Sequence, residues 1–470
     1  MKAFLLQFLL AGSLVAKPNV VLLLVDDLGR QDVGLHGSTF HQTPNIDRMG
    51  KEGLVFENAY SAHPRCVPSR YGIFSGRVPA RGGVPGFQKS EHALAPECVT
   101  FAEVMADEGY VTGYIGKWHL GKKGGGPGTQ GFSDSRIAGS AGAPRSYFYP
   151  YHVTPDGRHQ ENEDFPVVDG EEGEYLNDRL TDEAIDFLRK NREKPFLLVL
   201  AHYAVHTPFQ APDAMVEEAR QRLNGKPAGG KSKDPDFKDS DSATDKTEQN
   251  NPIYAAMVKS MDDSVGRVLK ELDQLKLTDD TLVILTSDHG GLSTRGESSG
   301  RPLATTNRPY RHGKGWLHDG GLRVPMIVKW PGTVKPGSTS VQTLGTDHYA
   351  TILEAVGLKV DADEARDSVS YLPTLNGEDQ QRPPMFFHSP RARPQSTGDR
   401  NASAVIDGKW KLIEHHDGGP KELYQLVDDP SESTNLVEKH PDKASELTDL
   451  LTRLKKDAGA RQGGNNPFDK

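Results

Sequence analysis

The chain has 470 residues, enough for one large domain and a smaller second one. Charged residues make up 26% of it and hydrophobic residues 35%, which is the composition of a soluble protein. The formal net charge of -9 argues against nucleic acid as a partner. An anionic ligand would need basic residues gathered locally at its site.

The first sixteen residues, MKAFLLQFLLAGSLVA, carry one lysine followed by an apolar run that ends in small residues. This run is too short to span a bilayer and is typical of a secretory signal peptide cleaved between Gly12 and Lys17. A buried first strand is the alternative, although the next segment already supplies one. No later segment is apolar enough to cross a membrane. We therefore expect a signal peptide over 1–16 and a periplasmic or secreted protein.

Short apolar runs then alternate with helical patterns, which predicts an α/β fold with a large, mostly parallel sheet flanked by helices. The first run is continuous and rich in β-branched residues, as a strand covered on both faces should be. The predicted strands are Asn19–Val25, Tyr110–Ile115, Phe196–Leu200, Leu282–Thr286 and Val324–Lys329. Apolar residues three and four apart predict amphipathic helices at Leu180–Asn191 and Pro252–Leu275.

Two stretches lack clear periodicity and are predicted to be inserted loops. Gly225–Asn251 is dense in charged and small residues and should be mobile, whereas Thr129–Gly173 either lines a pocket or covers the surface. Beyond residue 360 a strand is predicted at Ala404–Glu414 and a helix from Pro441 to Leu454. We expect a catalytic domain over 17–360 and a C-terminal α+β subdomain with a small antiparallel sheet over 361–470.

Four predicted strands run directly into polar clusters. These clusters are Asp26-Asp27, Lys117-Trp118-His119, His202 to His206, and Asp288-His289. Ligands of open α/β sheets collect beyond the carboxyl ends of the strands, so the four clusters should converge on one crevice. Adjacent carboxylates repel each other unless a cation lies between them, and oxygen ligands favour Ca²⁺ or Mg²⁺. A solvated pair at the start of a loop is the alternative for Asp26 and Asp27.

The segment Cys66-Val67-Pro68-Ser69-Arg70, followed by Ser75-Gly76-Arg77, is the most specific pattern in the chain. No second cysteine lies within metal-ligand spacing, so it is neither a zinc knuckle nor a redox pair. Cys66 could still form a disulfide with Cys98 or be a small buried hydrophobic residue. The pattern resembles the motif of the formylglycine-dependent sulfatases of the alkaline-phosphatase superfamily, whose cysteine is oxidised after synthesis to an aldehyde.

The resemblance extends over nearly all the mature chain. It covers VDDLG, TPNIDRMGKEGLVFENAYS, GKWHLG and SDHGG in the order of the family, followed by GKGWLHDGGLRVPMIVKWPG and ELYQLVDDPSESTNL. It implies an alkaline-phosphatase-like fold and hydrolysis of sulfate monoesters. The expected substrate is a sulfated carbohydrate, with sugar contacts in Thr129–Gly173 and Thr305–Lys314. It also implies a formylglycine-generating maturation enzyme as a partner.

The resemblance further implies one divalent cation, Ca²⁺ with Mg²⁺ as the alternative. Its ligands would be Asp26, Asp27, Asp288, His289 and the modified Cys66. Many relatives carry Asn where this chain has His289, and imidazole is a softer ligand than an amide oxygen.

The same resemblance assigns the remaining catalytic residues. Arg70, Lys117 and Lys314 would orient the nucleophile and hold the sulfate, although Arg308, Arg311 and His312 are alternatives to Lys314. His119 would take a proton from the sulfated diol, and His206 would protonate the departing alcohol, with His202 as the competing candidate. Asp288 would help to deprotonate the attacking hydroxyl.

Two other functions remain open on the sequence alone. A phosphomonoester or phosphodiester hydrolase of the wider superfamily would use Ser or Thr with two metals. An unmodified Cys66 would instead leave a sulfoglycan-binding protein without catalysis.

Overall fold

The computed structural model describes residues 17–83, 93–121, 125–159, 164–225, 243–297 and 299–461. The predicted signal peptide lies outside the described residues, as does most of the predicted loop Gly225–Asn251. Within these described ranges, no helix is both long and apolar enough to cross a bilayer.

The described elements alternate between strands and helices along most of the chain. The strands are β1 Asn19–Val25, β2 Leu54–Tyr60, β3 Val111–Gly116, β4 Asp134–Arg136, β5 Phe196–Ala201, β6 Ala243–Asp245, β7 Thr281–Ser287, β8 Thr294–Gly296, β9 Met326–Lys329, β10 Gly337–Leu344, β11 Met385–Ser389, β12 Ala402–Asp407, β13 Trp410–His415 and β14 Glu422–Gln425. The helices are α1 Pro44–Glu52, α2 Cys66–Ser75, α3 Phe101–Asp107, α4 Leu176–Asn191, α5 Asp213–Gln221, α6 Pro252–Gln274, α7 Asp319–Leu322, α8 Asp347–Ala355, α9 Leu372–Leu375 and α10 Pro441–Asp457.

Eight strands form the central sheet in the order β10-β2-β9-β7-β1-β5-β3-β4. Every neighbouring pair is parallel except those that involve β9, which runs antiparallel to both β2 and β7. The predicted α/β class with a large, mostly parallel sheet is therefore confirmed. The parallel strands β1, β3, β5 and β7 end at the same edge of the sheet, which is where the polar clusters begin.

Helices cover both faces of the sheet, which gives a three-layer architecture. Val21 and Leu23 of β1 pack into one core with α1, α4 and α6, whereas Val20 and Leu22 pack into a second core with α2, α3 and α8. Successive side chains of a strand point to opposite faces, so a strand buried on both sides must be apolar throughout. That requirement explains the unbroken apolar run of β1.

The residues beyond 360 include an antiparallel sheet in the order β11-β12-β13-β14, with α10 packed against β12 and β13. The single strand predicted at Ala404–Glu414 is wrong, because this range contains two strands. The chain reverses at Gly408 and Lys409, and Asp407 pairs with Trp410 across the turn. Gly408 has a φ of 55°, a left-handed conformation that glycine adopts without strain.

Three strands of the central sheet, β2, β4 and β10, had no clear signal in the sequence. The three-residue strand β4 lies inside Thr129–Gly173, which was predicted to be a loop. In β2 the apolar pattern is interrupted by Glu57 and Asn58, and β10 is a polar strand at the edge of the sheet that is exposed mainly in its first half. An edge strand needs no continuous apolar run, because one side faces solvent. Helix α4 also begins at Leu176, four residues before the predicted start.

Candidate active site

The cysteine at the start of the sulfatase-like motif opens a buried helix. Cys66 is the first residue of α2, and Ser69 and Arg70 lie one turn later on the same side of that helix. Ser69 Oγ donates to the carbonyl of Asp288, and Arg70 Nε donates to Asp288 Oδ2 at 3.0 Å. The spacing of the motif therefore joins the cysteine helix to the end of β7.

The second half of the motif ends this helix. Gly76 adopts a φ of 65°, and its N–H donates to the carbonyl of Gly72 at 3.0 Å. A left-handed glycine is a common helix C-cap. Arg77 pairs with Glu364 at 2.6 Å. Ser75-Gly76-Arg77 thus fixes the helix rather than contributing to the site.

Four predicted ligands surround one point at the carboxyl edge of the sheet. Asp26, Cys66, Asp288 and His289 are all buried, and each offers one ligand atom within 4.8 Å of the others. His289 Nε2 also lies 3.2 Å from Asp27 Oδ1. Ligands of one Ca²⁺ lie about 2.3–2.6 Å from the ion and hence within about 5 Å of one another. The donor set fits a single divalent cation.

The carboxylates of this cluster are buried together, which is costly without compensating charge. Burial raises the pKa of Asp26, and Lys117, which donates from Nζ to Asp26 Oδ2, only partly offsets this. Burial also raises the pKa of Asp27, but Lys314 and His206 outweigh it, so that this pKa lies below the usual range. A bound cation would stabilise all the carboxylates in the charged form.

Two lysines bring positive charge to the cysteine. Lys314 Nζ donates to both oxygens of Asp27, at 2.6 and 2.9 Å, and lies 3.7 Å from Cys66 Sγ. Burial raises the pKa of Cys66, but Lys117 and Lys314 outweigh this effect, and the pKa falls well below the ordinary value. The surroundings of Cys66 therefore stabilise negative charge at the position of its Sγ atom.

Cys66 and Cys98 are both free cysteines, so the structure does not support the disulfide alternative. Burial raises the pKa of Cys98, in contrast to Cys66. The two thiols thus lie in opposite electrostatic environments. Cys98 belongs to the apolar core beneath α3.

Position 119 is held in an unusual backbone conformation by an adjoining loop. His119 has a φ of 62°, and its N–H donates to the carbonyl of Gly139 at 3.0 Å. A Cβ at Gly142 would lie 2.5 Å from His119 Cε1. The sequence left open whether Thr129–Gly173 lines a pocket or covers the surface. The structure supports the pocket, because Gly139 and Gly142 of this stretch adjoin His119. Burial lowers the pKa of His119 to about 4.

His206 and His202 occupy different environments. His206 Nε2 lies 3.8 Å from Asp27 Oδ2, its Nδ1 contacts the carbonyl of Thr207 at 2.8 Å, and the side chain is 15% exposed. His202 is fully buried, with its Nε2 3.3 Å from Ser264 Oγ on α6. The structure therefore places His206, and not His202, beside the carboxylate cluster.

The three alternatives to Lys314 have other contacts. Arg311 Nη1 donates to Tyr424 Oη at 2.9 Å, and His312 is buried, with Nδ1 3.0 Å from Asp245 Oδ2. Arg308 is exposed. Lys314 alone among these four touches both Asp27 and Cys66 in the part of the chain that the structure describes.

Several residues near Cys66 were missed by the sequence interpretation. Arg65, Arg301 and Arg393 all influence one another or Cys66 electrostatically. Arg65 adjoins the motif and could have been noticed there. Arg393 had no local signal, because only the fold brings its loop to this edge.

A family model for sulfatases matches residues 18–358, and a second model, the C-terminal part of N-sulphoglucosamine sulphohydrolase, matches residues 311–458. The first match alone spans more than half of the chain. The chain belongs to the sulfatase family. It is a sulfuric ester hydrolase, and this favours sulfate-ester cleavage over the phosphoester and non-catalytic interpretations.

Individual relatives agree with this family over most of their length. The chain is 28% identical to an N-acetylgalactosamine-6-O-sulfatase of Bacteroides thetaiotaomicron, covering 94% of each. It is 32% identical to the human N-acetylgalactosamine-6-sulfatase, over 82% of this chain and 71% of the relative. Among solved structures, Ps i-CgsB in complex with k-i-k-neocarrahexaose superimposes with a TM-score of 0.77 at 26% identity, covering 95% of this chain and 94% of that one.

Proposed function

We propose that this sulfatase removes sulfate from 6-O-sulfated N-acetylgalactosamine or a similar sulfated sugar, in the periplasm or outside the cell. The names of two relatives support the sugar, and the apolar N-terminal segment supports export. The observation that carries the proposal is the position of Cys66 Sγ, which lies 3.2 Å from His289 Nε2 and 3.7 Å from both Asp26 Oδ1 and Lys314 Nζ.

In this proposal a formylglycine-generating enzyme converts Cys66 to an aldehyde, which hydrates to a gem-diol. Asp26, Asp27, Asp288, His289 and the modified side chain would hold Ca²⁺, with Mg²⁺ as the alternative. When bound, the cation polarises a sulfate oxygen and favours ionisation of the diol.

The chain's own residues then supply position and charge. Lys117 and Lys314 would shift part of their interaction from the carboxylates to the sulfate oxygens, because the sulfate brings negative charge to the same point. Arg70 would keep Asp288 in place through its 3.0 Å contact. One diol hydroxyl, deprotonated with the help of Asp288, attacks sulfur as the bond from sulfur to the sugar oxygen breaks.

The attack leaves the sulfate covalently bound to the side chain at position 66. The two histidines are proposed to transfer protons before and after this sulfated intermediate forms. Burial and, next to it, Lys314 lower the pKa of His206 to about 3. An incoming sulfate would raise that pKa and allow His206 to donate to the sugar oxygen. His119, neutral because burial lowers its pKa to about 4, would accept the proton of the second hydroxyl. The carbon–oxygen bond to sulfate then breaks, sulfate leaves and the aldehyde returns.

The test compares hydrolysis of matched aryl sulfate and aryl phosphate, followed by a panel of N-acetylgalactosamine sulfated at different hydroxyls. We expect turnover of the aryl sulfate and of the 6-O-sulfated sugar, at kcat/KM values at least about 100-fold above those of the phosphate and the other positional isomers. Faster cleavage of the phosphate would overturn the reaction, and a preference for another hydroxyl would overturn the substrate.

A further inference from the structure

Three arginines that adjoin Cys66 in the sequence or interact with it electrostatically have no role in the chemistry described above. Arg65 directly precedes Cys66 and is only 3% exposed, and its Nη2 donates to both carboxylate oxygens of Asp399 at 2.7 Å. Its Nε and Nη1 are buried without a hydrogen-bond partner among the described residues. A Cβ at Gly315 would lie 3.0 Å from Arg65 Nη2, so this guanidinium also adjoins the segment that carries Lys314.

One loop of the C-terminal part carries the second of these arginines, Arg393, and contacts the third, Arg301. The loop joins β11 to β12 and includes Arg393, whose carbonyl accepts from the N–H groups of Ser396 and Thr397 at 2.9 Å. Arg301 Nη1 donates to Ser396 Oγ at 3.1 Å. Trp316 Nε1 donates to the carbonyl of Thr397 at 2.7 Å and ties the loop to the catalytic part.

The loop also anchors Arg65, since Asp399 and Thr397 Oγ1 both accept hydrogen bonds from its Nη2. Arg65 and Arg301 thus both donate to the loop that carries Arg393. Arg301 and Arg393 are partly exposed, whereas Arg65 is buried. A ligand could reach the first two directly, and the third would add fixed positive charge.

The positive charges in this region disfavour one another. Burial lowers the pKa of Arg301, and Arg65 lowers it further, against the opposing effects of Asp27 and Cys66. Burial also lowers the pKa of Arg393 to about 10, again with Arg65 acting in the same direction. An anion placed among these groups would relieve both the desolvation and the repulsion.

We propose that Arg301 and Arg393, supported by Arg65, bind a second anionic group of the substrate, a carboxylate or a further sulfate, beside the scissile sulfate. This inference rests on the proposed function and narrows it. Lys117 and Lys314 already adjoin Cys66, so the arginines are not needed for the sulfate that reacts. A substrate with two anionic groups should therefore be preferred over a singly sulfated neutral sugar.

The test measures kcat/KM for the unaltered enzyme, Arg301→Gln, Arg393→Gln and the control Arg192→Gln. Arg192 is an exposed arginine at the end of α4, paired with Glu193. The substrates are an aryl sulfate, monosulfated N-acetylgalactosamine, disulfated N-acetylgalactosamine, and the monosulfated sugar linked to a uronate. The last two separate a second sulfate from a carboxylate.

Loss of a charge-assisted hydrogen bond predicts a decrease of about 10- to 100-fold on a doubly anionic substrate in either pocket variant. On aryl sulfate the same variants should stay within about threefold of the unaltered enzyme, as should Arg192→Gln on every substrate. Equal losses on singly and doubly anionic substrates would overturn the inference, as would an unaltered enzyme that shows no preference for a second anion.

Binding measurements keep this inference separate from the reaction. Calorimetric titration of Cys66→Ala with the same sugars should give tighter binding of the doubly anionic ones, and this preference should disappear when Arg301→Gln is added. If the preference survives that addition, the arginine pocket is refuted even when sulfate hydrolysis is intact. If sulfate hydrolysis is absent but the preference depends on Arg301, the reaction fails and the pocket stands.

Discussion

Replacing Arg70 by glutamine should separate the support of the active site from the support of the fold. Arg70 is fully buried, and its Nε donates to Asp288 Oδ2 at 3.0 Å while Nη1 donates to the carbonyl of Lys117 at 2.7 Å. These two bonds join the helix of Cys66 to the ends of β7 and β3. The pKa of Arg70 is raised, because Asp288 outweighs the effect of burial.

The cost of this change follows from the burial of both partners. Removing one member of a buried ion pair weakens the charge compensation of the other, which costs up to about 3–5 kcal/mol of unfolding free energy. Arg382→Gln is the matched control, because Arg382 pairs with Asp347 at 2.7 Å, with the two side chains 5% and 1% exposed, at the start of α8 near the edge strand β10. Both variants should therefore lose similar stability.

Activity should distinguish the two variants. With urea unfolding and aryl sulfate hydrolysis measured on the same samples, we expect Arg70→Gln to lower kcat/KM by about 100-fold or more, as for loss of an electrostatic contact at a reacting centre. Arg382→Gln should retain kcat/KM per folded molecule within about threefold. If both variants lost activity in proportion to their stability, Arg70 would be only a structural residue and the reasoning would be wrong.

Three further predictions concern the loop, a buried histidine and the cation. Gly142→Ala places a Cβ 2.5 Å from His119 Cε1 and should lower kcat at least about tenfold. The control Gly126→Ala, whose Cβ would have nothing within 4 Å, should leave kcat unchanged. Equal kcat values for the two variants would exclude a role of the Gly142–His119 contact in catalysis. Burial lowers the pKa of His202 from 6.5 to about 4. Between these two pH values the unfolded state binds more protons than the folded state, so the free energy of unfolding falls by about 3 kcal/mol as the pH falls from 6.5 to about 4. His202→Gln should remove this part of the pH dependence in urea unfolding, and an unchanged slope would contradict the assignment. Chelation should abolish sulfate release and lower the Tm, Ca²⁺ should restore both, and a fully active metal-free enzyme would contradict the ligand set.

Local sequence patterns predicted most of the fold and the chemistry of the candidate site. The apolar run of β1 and the polar residues after it predicted both a strand and its position at the ligand-binding edge, since a strand buried on both faces leaves few alternatives. The interruption of the Ala404–Glu414 strand at Gly408 was missed, because an Asp-Gly pair between two apolar runs is a turn signal only when the second strand pairs back.

The sequence did not predict which residues outside the motifs lie at the candidate site. These residues belong to segments that only the fold brings there. Arg393 lies more than three hundred residues from Cys66, and its loop is held by Thr397 and Trp316 through contacts that no local pattern encodes. Gly142 had no motif either, and its close approach to His119 depends on the path of an irregular loop. Long-range packing determines such contacts, and one sequence without periodicity does not predict them.

The most direct measurement is the mass of the peptide that contains position 66, taken from protein produced together with a formylglycine-generating enzyme. Conversion replaces the thiol sulfur by a carbonyl oxygen, so the peptide should be lighter than the encoded one. Sulfate release should rise in proportion to the converted fraction across preparations, and Cys66→Ala should release none. Full activity in protein whose Cys66 remains an unmodified thiol would contradict the account.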